Sequence, residues 1–184
     1  MIILASGSPR RKEILDKLGV RFICDSVDVD ESLPKGIAVE KVSEYLAIKK
    51  ASAALLLHSD DTIIGADTTV VINETVLGKP ADEADACNML KQLSGNKHTV
   101  YTGVCILSKK NRKVFTSKTS VYFSKLDTKE IENYIATGEP MDKAGAYGIQ
   151  GLGCRFIERI DGDFYTVMGL PAARTYEALK NFDI

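Results

Sequence analysis

The chain has 184 residues, 45% of them apolar and 27% charged, which suits one globular domain with a sizeable core. Its net charge of −1 excludes a generally basic surface for a nucleic-acid backbone, although a local cluster of cations can still grip a small polyanion. No apolar run approaches the roughly 20 residues of a membrane span, and Met1–Ala5 lacks the basic flank of a secretory signal, so neither nucleic acid nor membrane is expected as a partner.

In chain order, Ile2–Ala5 reads as a short buried strand. Ser8 can cap the next element, a helix for which Pro9 suits the first position; Ile14, Leu15 and Leu18 form its apolar stripe, and Gly19 stops it. Phe22–Val29 reads as a second strand ending in the acidic turn Asp30-Glu31. A long helix is predicted over Val39–Leu57, with Val42, Tyr45, Leu46 and Ala53 on one face and Lys49 and Lys50 in its middle. Thr62–Ile72 is a β-rich run interrupted by Asp67-Thr68-Thr69. The turn Asn73-Glu74 then leads to Val76-Leu77 and the loop Gly78-Lys79-Pro80. A helix over Asp82–Leu93 ends at Ser94-Gly95.

His98–Leu107 and Lys113–Phe123 are expected to pair as an antiparallel hairpin across the charged turn Lys109–Arg112. Thr128–Ala136 is predicted helical, with Thr137-Gly138 closing it. Lys143–Gly153 is a glycine-bearing loop, Cys154–Ile160 and Phe164–Met168 read as strands around Asp161-Gly162-Asp163, and Pro171 starts a terminal helix. Without repeats or linkers, the pattern describes one α/β domain, residues 1–184, with substantial antiparallel character.

The four cysteines, Cys24, Cys87, Cys105 and Cys154, are widely spaced and form no Cys-x-x-Cys pair, so they read as reduced packing residues of a cytoplasmic protein. His58 and His98 lack metal-ligand spacing, and His98 reads as structural.

Chemistry concentrates in a few segments. Strand, Ser6-Gly7-Ser8-Pro9-Arg10-Arg11, then helix is an arrangement that favours an anion, because free backbone N–H groups and the helix dipole meet there. Ser6 and Ser8 supply hydroxyls, and Arg10 and Arg11 supply fork-shaped donors for phosphate oxygens. The segment is not a Walker A loop, and by itself it reads equally as a capped helix with solvated arginines. Asp67, within an apolar β run, needs a charge partner, hydrogen bonds or a metal. It suits metal coordination or activation of a water, or else it satisfies a turn. Glu31 can join it as a metal ligand or remain a solvated turn carboxylate. Lys50, Lys79 and Lys143 are candidate phosphate ligands or ordinary solvated lysines, with Lys79 the most suggestive because its loop is rigid. In Asp142–Gly151 small residues let a ligand approach the backbone, and the Gln150 amide is suited to an imide edge such as uracil or thymine; the segment also reads as a plain connector.

Taken together, LASGSPRR at Leu4–Arg11, GADT at Gly65–Thr68, GKP at Gly78–Pro80, the Ser94–Gly103 segment, DKAGAYGIQGLG at Asp142–Gly153 and Gly169-Leu170-Pro171 resemble the Maf family of nucleoside triphosphate pyrophosphatases. The resemblance runs over residues 2–182. It implies an inosine-triphosphatase-like α/β fold, an elongated mixed sheet flanked by helices in two lobes around a central cleft, commonly as a homodimer. It implies a nucleoside triphosphate substrate, hydrolysed to monophosphate and pyrophosphate with a divalent cation, Mg²⁺ or Mn²⁺. By position, Asp67 matches the general base, Arg11, Thr68 and Gln150 match substrate-selecting residues, and Ser6, Ser8, Arg10, Lys50, Lys79 and Glu31 match the cleft's phosphate and metal groups. The closing motif is similar to the branch acting on dTTP and UTP; the alternatives are another nucleotide, such as 7-methyl-GTP, or a non-catalytic regulator of septum formation.

Overall fold

Ile2, Ile3 and Leu4 alternate across no polar face; all three are buried, as befits an inner strand covered on both sides. In the computed structural model, which describes residues 1–182, they form β1 (Ile2–Leu4), paired in parallel with β2 (Phe22–Cys24) on one side and β3 (Thr62–Ile72) on the other. Asp183 and Ile184, the end of the predicted 1–184 domain, lie outside the described residues. The remaining strands are β4 (Thr75–Leu77), β5 (Lys97–Leu107), β6 (Arg112–Phe123) and β7 (Ile157–Asp161). The seven make one mixed sheet in the order β2-β1-β3-β5-β6-β7, with β4 antiparallel to the far end of β3. Its helices are α1 (Pro9–Lys17), α2 (Val42–Leu57), α3 (Glu83–Leu93), α4 (Thr128–Ile135), α5 (Phe164–Met168) and α6 (Ala172–Leu179).

The chain divides into two compact units, and β3, β5 and β6 each run from one into the other. The first unit comprises Met1–Thr68, Thr102–Ser117 and the chain from Gly169 onward. Its core places Ala47, Ala51 and Ala54 of α2 against Ile3, Ala5, Ile63 and Cys105. The second unit comprises Thr69–Tyr101 and Lys118–Met168. Its core gathers Val70, Leu90, Val100, Val121, Phe123 and Phe156, and Tyr134 of α4 is fully buried among them. Acidic caps start α3 and α4: Asp82 accepts from the Asp85 amide, and Asp127 and Glu130 form a capping box.

Four expectations are corrected. The second strand stops at Cys24 instead of Val29, because its partner β1 ends at Leu4: the Asp25 amide makes the last ladder bond, to the Leu4 carbonyl, and the residues beyond have no strand to pair with on that side. β3 is continuous through Asp67-Thr68-Thr69, since the polar groups of Asp67 and Thr68 find side-chain partners and the ladder need not break. Phe164–Met168 is helical, not a strand: the Asp163 carboxylate accepts from the Tyr165 and Thr166 amides, which is an N-cap. Leu152–Phe156 is a 3₁₀ turn, leaving only Ile157–Asp161 extended.

Candidate functional site

The loop between β1 and α1 is fixed by backbone bonds before any side chain acts. The Ala5 amide bonds the Ile64 carbonyl, and the Ser6 amide bonds that of Leu4. Ser8 occupies the cap position of α1, yet its hydroxyl does not cap the helix; its amide instead donates to Ser6 Oγ at 3.2 Å. Ser6 is buried, and Arg11, in the first turn of α1, reaches back to it with Nη1 at 3.0 Å. The same guanidinium donates from Nη2 to Thr68 Oγ1 (3.2 Å) and from Nε to the Gly169 carbonyl (2.8 Å). Thr68 Oγ1 lies 2.9 Å from Thr102 Oγ1. Burial pushes the Arg11 guanidinium below its ordinary value, with the Asp67 charge opposing. Three hydrogen bonds to protein groups hold it in one pose.

Asp67 is one residue earlier on β3 and only 8% exposed. Its Oδ1 accepts from Lys50 Nζ at 2.6 Å, and the same ammonium meets Glu31 Oε1 at 2.8 Å. Burial raises Asp67 above the usual aspartate range; the Lys50 and Arg11 charges oppose this without cancelling it. Glu31, on the irregular segment after β2, is more than half exposed.

Gly65 explains how Lys50 arrives there. It points from β3 toward α2, and a Cβ on it would stand 2.7 Å from the Ala51 amide and collide with the Ala47 carbonyl. Only glycine lets α2 lie this close to the strand, and Lys50 stands between Ala47 and Ala51. Asp67, two residues beyond Gly65, faces the same way as Gly65 because side chains on a strand repeat every second residue. The glycine of GADT therefore serves packing, and the packing delivers the ammonium to the carboxylate.

Of the predicted site residues, Ser6, Arg11, Glu31, Lys50, Asp67 and Thr68 are joined in the first unit by the bonds above. Ser8 and Arg10 belong to the same unit, on the loop and the first turn of α1. Lys79 and Gln150 belong to the second unit, Lys79 exposed on the loop after β4 and Gln150 exposed on the glycine-bearing loop. Lys143 is engaged locally, donating to the Glu139 carbonyl and to Asp142 Oδ1, both at 2.6 Å. His98 is structural: it is buried, its Nε2 lies 2.8 Å from the Tyr147 hydroxyl, and its ring meets Phe123 and Tyr147 edge to face. Thr102 and the Gly169 carbonyl join the site without having been legible as site groups in the sequence. Gly169 carried a signal in Gly169-Leu170-Pro171, whereas a threonine in a strand carries none.

The donor set fits a divalent cation. Asp67 and Glu31, from different segments, converge on a single ammonium, so two hard oxygen donors already focus on one positive charge. Mg²⁺ and Mn²⁺ favour such donors and complete their shells with phosphate oxygens and water. Among the described residues no three His, Cys, Asp or Glu side chains cluster as a metal cage.

A family model described as Maf-like protein matches residues 1–182. A dTTP/UTP pyrophosphatase of Pelotomaculum thermopropionicum is 48% identical over 183 residues, 98% of this chain and 96% of that protein. One of Bacillus mycoides is 48% identical over 182 residues, 99% of this chain and 95% of that protein. Among solved structures, the Staphylococcus aureus Ham1 protein superposes with a TM-score of 0.51 at 15% identity, covering 98% of each chain. Protein VC0702 of Vibrio cholerae gives 0.51 at 14% identity, covering 98% of this chain and 93% of that one. At those identities the structures speak to the fold alone, and they share the inosine-triphosphatase-like mixed sheet flanked by helices.

Proposed function

The chain belongs to the Maf family, and from that premise we propose that it is a nucleoside triphosphate pyrophosphatase. Its substrates are dTTP and UTP, the nucleotides for which its relatives, each a dTTP/UTP pyrophosphatase, are named, and it cleaves between the α- and β-phosphates to give the nucleoside monophosphate and pyrophosphate. The observation that carries the chemistry is the buried Asp67 carboxylate, held in place by Lys50 and one residue from the Arg11–Thr68 bond.

Hydrolysis at the α-phosphorus requires a deprotonated water, a stabilised phosphoryl charge and a neutralised leaving group. Asp67 takes the proton. Its Oδ1 accepts from Lys50, whose charge opposes the rise that burial imposes on the carboxyl. Ser6, Ser8, Arg10, Lys50 and Lys79 bind the phosphates. Ser6 Oγ accepts from the Ser8 amide and from Arg11, which leaves its hydroxyl hydrogen as a donor for phosphate. Arg11 acts through what it holds: by fixing Ser6, Thr68 and the Gly169 carbonyl it sets the shape that selects substrate. Gln150 offers both a donor and an acceptor to the imide edge of uracil or thymine. Asp67 and Glu31 would hold Mg²⁺ or Mn²⁺, which when bound supplies positive charge to the phosphate oxygens.

We place both units in one pyrophosphatase domain, acting as a homodimer in the cytoplasm. The four cysteines are free thiols, in keeping with a reducing compartment, and no helix among the described residues is long and apolar enough to cross a membrane. Pyrophosphate release from dTTP, UTP, 7-methyl-GTP, GTP and ATP, assayed side by side with Mg²⁺ and with Mn²⁺, tests the reading. Turnover of dTTP and UTP well above the purines is expected; turnover confined to 7-methyl-GTP, or binding of all five without turnover, would contradict it.

A further inference from the structure

The loop that carries Gln150 has no regular strand or helix to hold it, so its backbone amides need partners from elsewhere. One side chain supplies two of them. Glu139, in the short 3₁₀ turn Glu139–Asp142 after α4, receives three hydrogen bonds on its carboxylate. The Leu152 amide donates to Oε2 at 2.8 Å, while the Gly153 amide (3.1 Å) and the Tyr134 hydroxyl (2.8 Å) donate to Oε1. Tyr134 Oη in turn accepts from the Gly148 amide at 3.1 Å. The loop's first residue is tied as well, since Lys143 Nζ donates to the Glu139 carbonyl.

Gln150 thus sits between two anchored stretches, Gly148 on the tyrosine and Leu152-Gly153 on the carboxylate. The fit leaves no slack. A Cβ on Gly151 would collide with the Glu139 carboxylate, and one on Gly153 would stand 2.7 Å from the Tyr134 hydroxyl. Burial pushes the Glu139 carboxyl up, but the Leu152 and Gly153 amides and the Tyr134 hydroxyl outweigh it and hold the group below its usual value. The Tyr134 ring is itself fixed, fully buried and edge-on to Phe156 with centroids 5.1 Å apart.

We infer that Glu139 and Tyr134 are positioning residues for nucleotide selection: together they clamp the 148–153 backbone and so set where the Gln150 amide presents itself to the base. The inference rests on the pyrophosphatase reading, in which Gln150 meets the base. Glu139 acts through the loop and takes no part in proton transfer. Its loss therefore changes which nucleotide is accepted more than how fast a bound one is cleaved.

Glu139→Gln keeps the shape but turns an amide donor toward one of the loop's amide donors. Tyr134→Phe removes the hydroxyl alone and keeps the ring packed on Phe156. Steady-state kinetics of both variants and wild type on dTTP, UTP and GTP give the test. Hydrogen exchange of the Gly148, Leu152 and Gly153 amides supplies a readout free of nucleotide. Glu139→Gln is expected to raise KM for dTTP and UTP about tenfold, with kcat within about twofold, and to cut the dTTP-over-GTP preference by a similar factor, as loss of a charge-assisted hydrogen bond implies. Tyr134→Phe should move the same quantities less, and exchange should quicken at all three amides in Glu139→Gln. A folding defect lowers the active fraction equally for every nucleotide, so the preference ratio separates positioning from stability. Unchanged KM and preference in both variants, or unchanged exchange, would overturn the inference. Wild type that turns over neither dTTP nor UTP would overturn the pyrophosphatase reading, and this inference with it.

Discussion

The two constellations differ in what answers their charges. In the first unit, side chains answer side chains: Lys50 bridges Asp67 and Glu31, and Arg11 spans Ser6 and Thr68. The Lys50 bonds to Asp67 and Glu31 involve no backbone group, so a phosphate, a water or an ion can replace one partner without breaking a main-chain hydrogen bond. In the second unit, one carboxylate answers backbone amides, and the aromatic rings of His98 and Phe123 meet the loop's Tyr147 edge to face. Breaking those contacts moves the chain itself. Chemistry calls for the first kind of construction and selection for the second. A proton must be passed and a charge neutralised, whereas a base edge must be met by an amide that does not wander.

The largest effect should come from the first constellation. Asp67→Asn keeps the shape and removes the base, so kcat for dTTP is expected to fall about a thousandfold while nucleotide binding, measured by calorimetry, persists. Near-wild-type turnover would take the base assignment away from Asp67.

The aromatic set offers the next largest, read as stability. Burial lowers His98 to about 4 from its ordinary 6.5, so the folded state refuses a proton that the unfolded chain accepts. Its contribution is therefore intact above the unfolded value and is lost as pH falls from about 6.5 toward about 4. The gap is worth about 3 kcal/mol. Denaturant unfolding of His98→Gln beside wild type should show their difference in stability shrinking by that amount from neutral pH to about pH 4. A constant difference would mean that His98 takes up a proton as readily in the fold as in the unfolded chain.

The smallest effect sharpens the first constellation again. Lys50→Met removes the ammonium that opposes burial at Asp67, so the carboxyl rises further. The base must be ionised to work, so the acid limb of kcat/KM should shift to higher pH than in wild type. No movement would assign the control of Asp67 to Arg11 alone.

Much of this was legible in the sequence, for reasons tied to particular residues. An aspartate flanked by Ile63, Ile64, Val70 and Val71 had to have a partner, because an unpaired buried carboxylate is too costly. Which lysine served was not legible. Lys79, in its rigid loop, looked better placed than Lys50, and only the close approach of α2 over Gly65 decides for Lys50. The helix at Phe164–Met168 was hidden because Asp161-Gly162-Asp163 reads as a turn between strands, whereas the Asp163 carboxylate caps α5. Glu139 left no trace, since its partners are main-chain amides up to fourteen residues away, and backbone donors are the same for nearly every residue type. An α/β domain with antiparallel character was readable from strand and helix patterning, and the mixed sheet only from the resemblance, while the early end of β2 depended on where its partner β1 stops.

The proposed mechanism centres on a water deprotonated by Asp67 that attacks the α-phosphorus of a pyrimidine nucleoside triphosphate. Hydrolysis of dTTP in water enriched in heavy oxygen, with mass spectrometry of both products, tests this directly. One heavy oxygen in the nucleoside monophosphate and none in the pyrophosphate is the expected result; label in the pyrophosphate would place the attack on the β-phosphorus and contradict it.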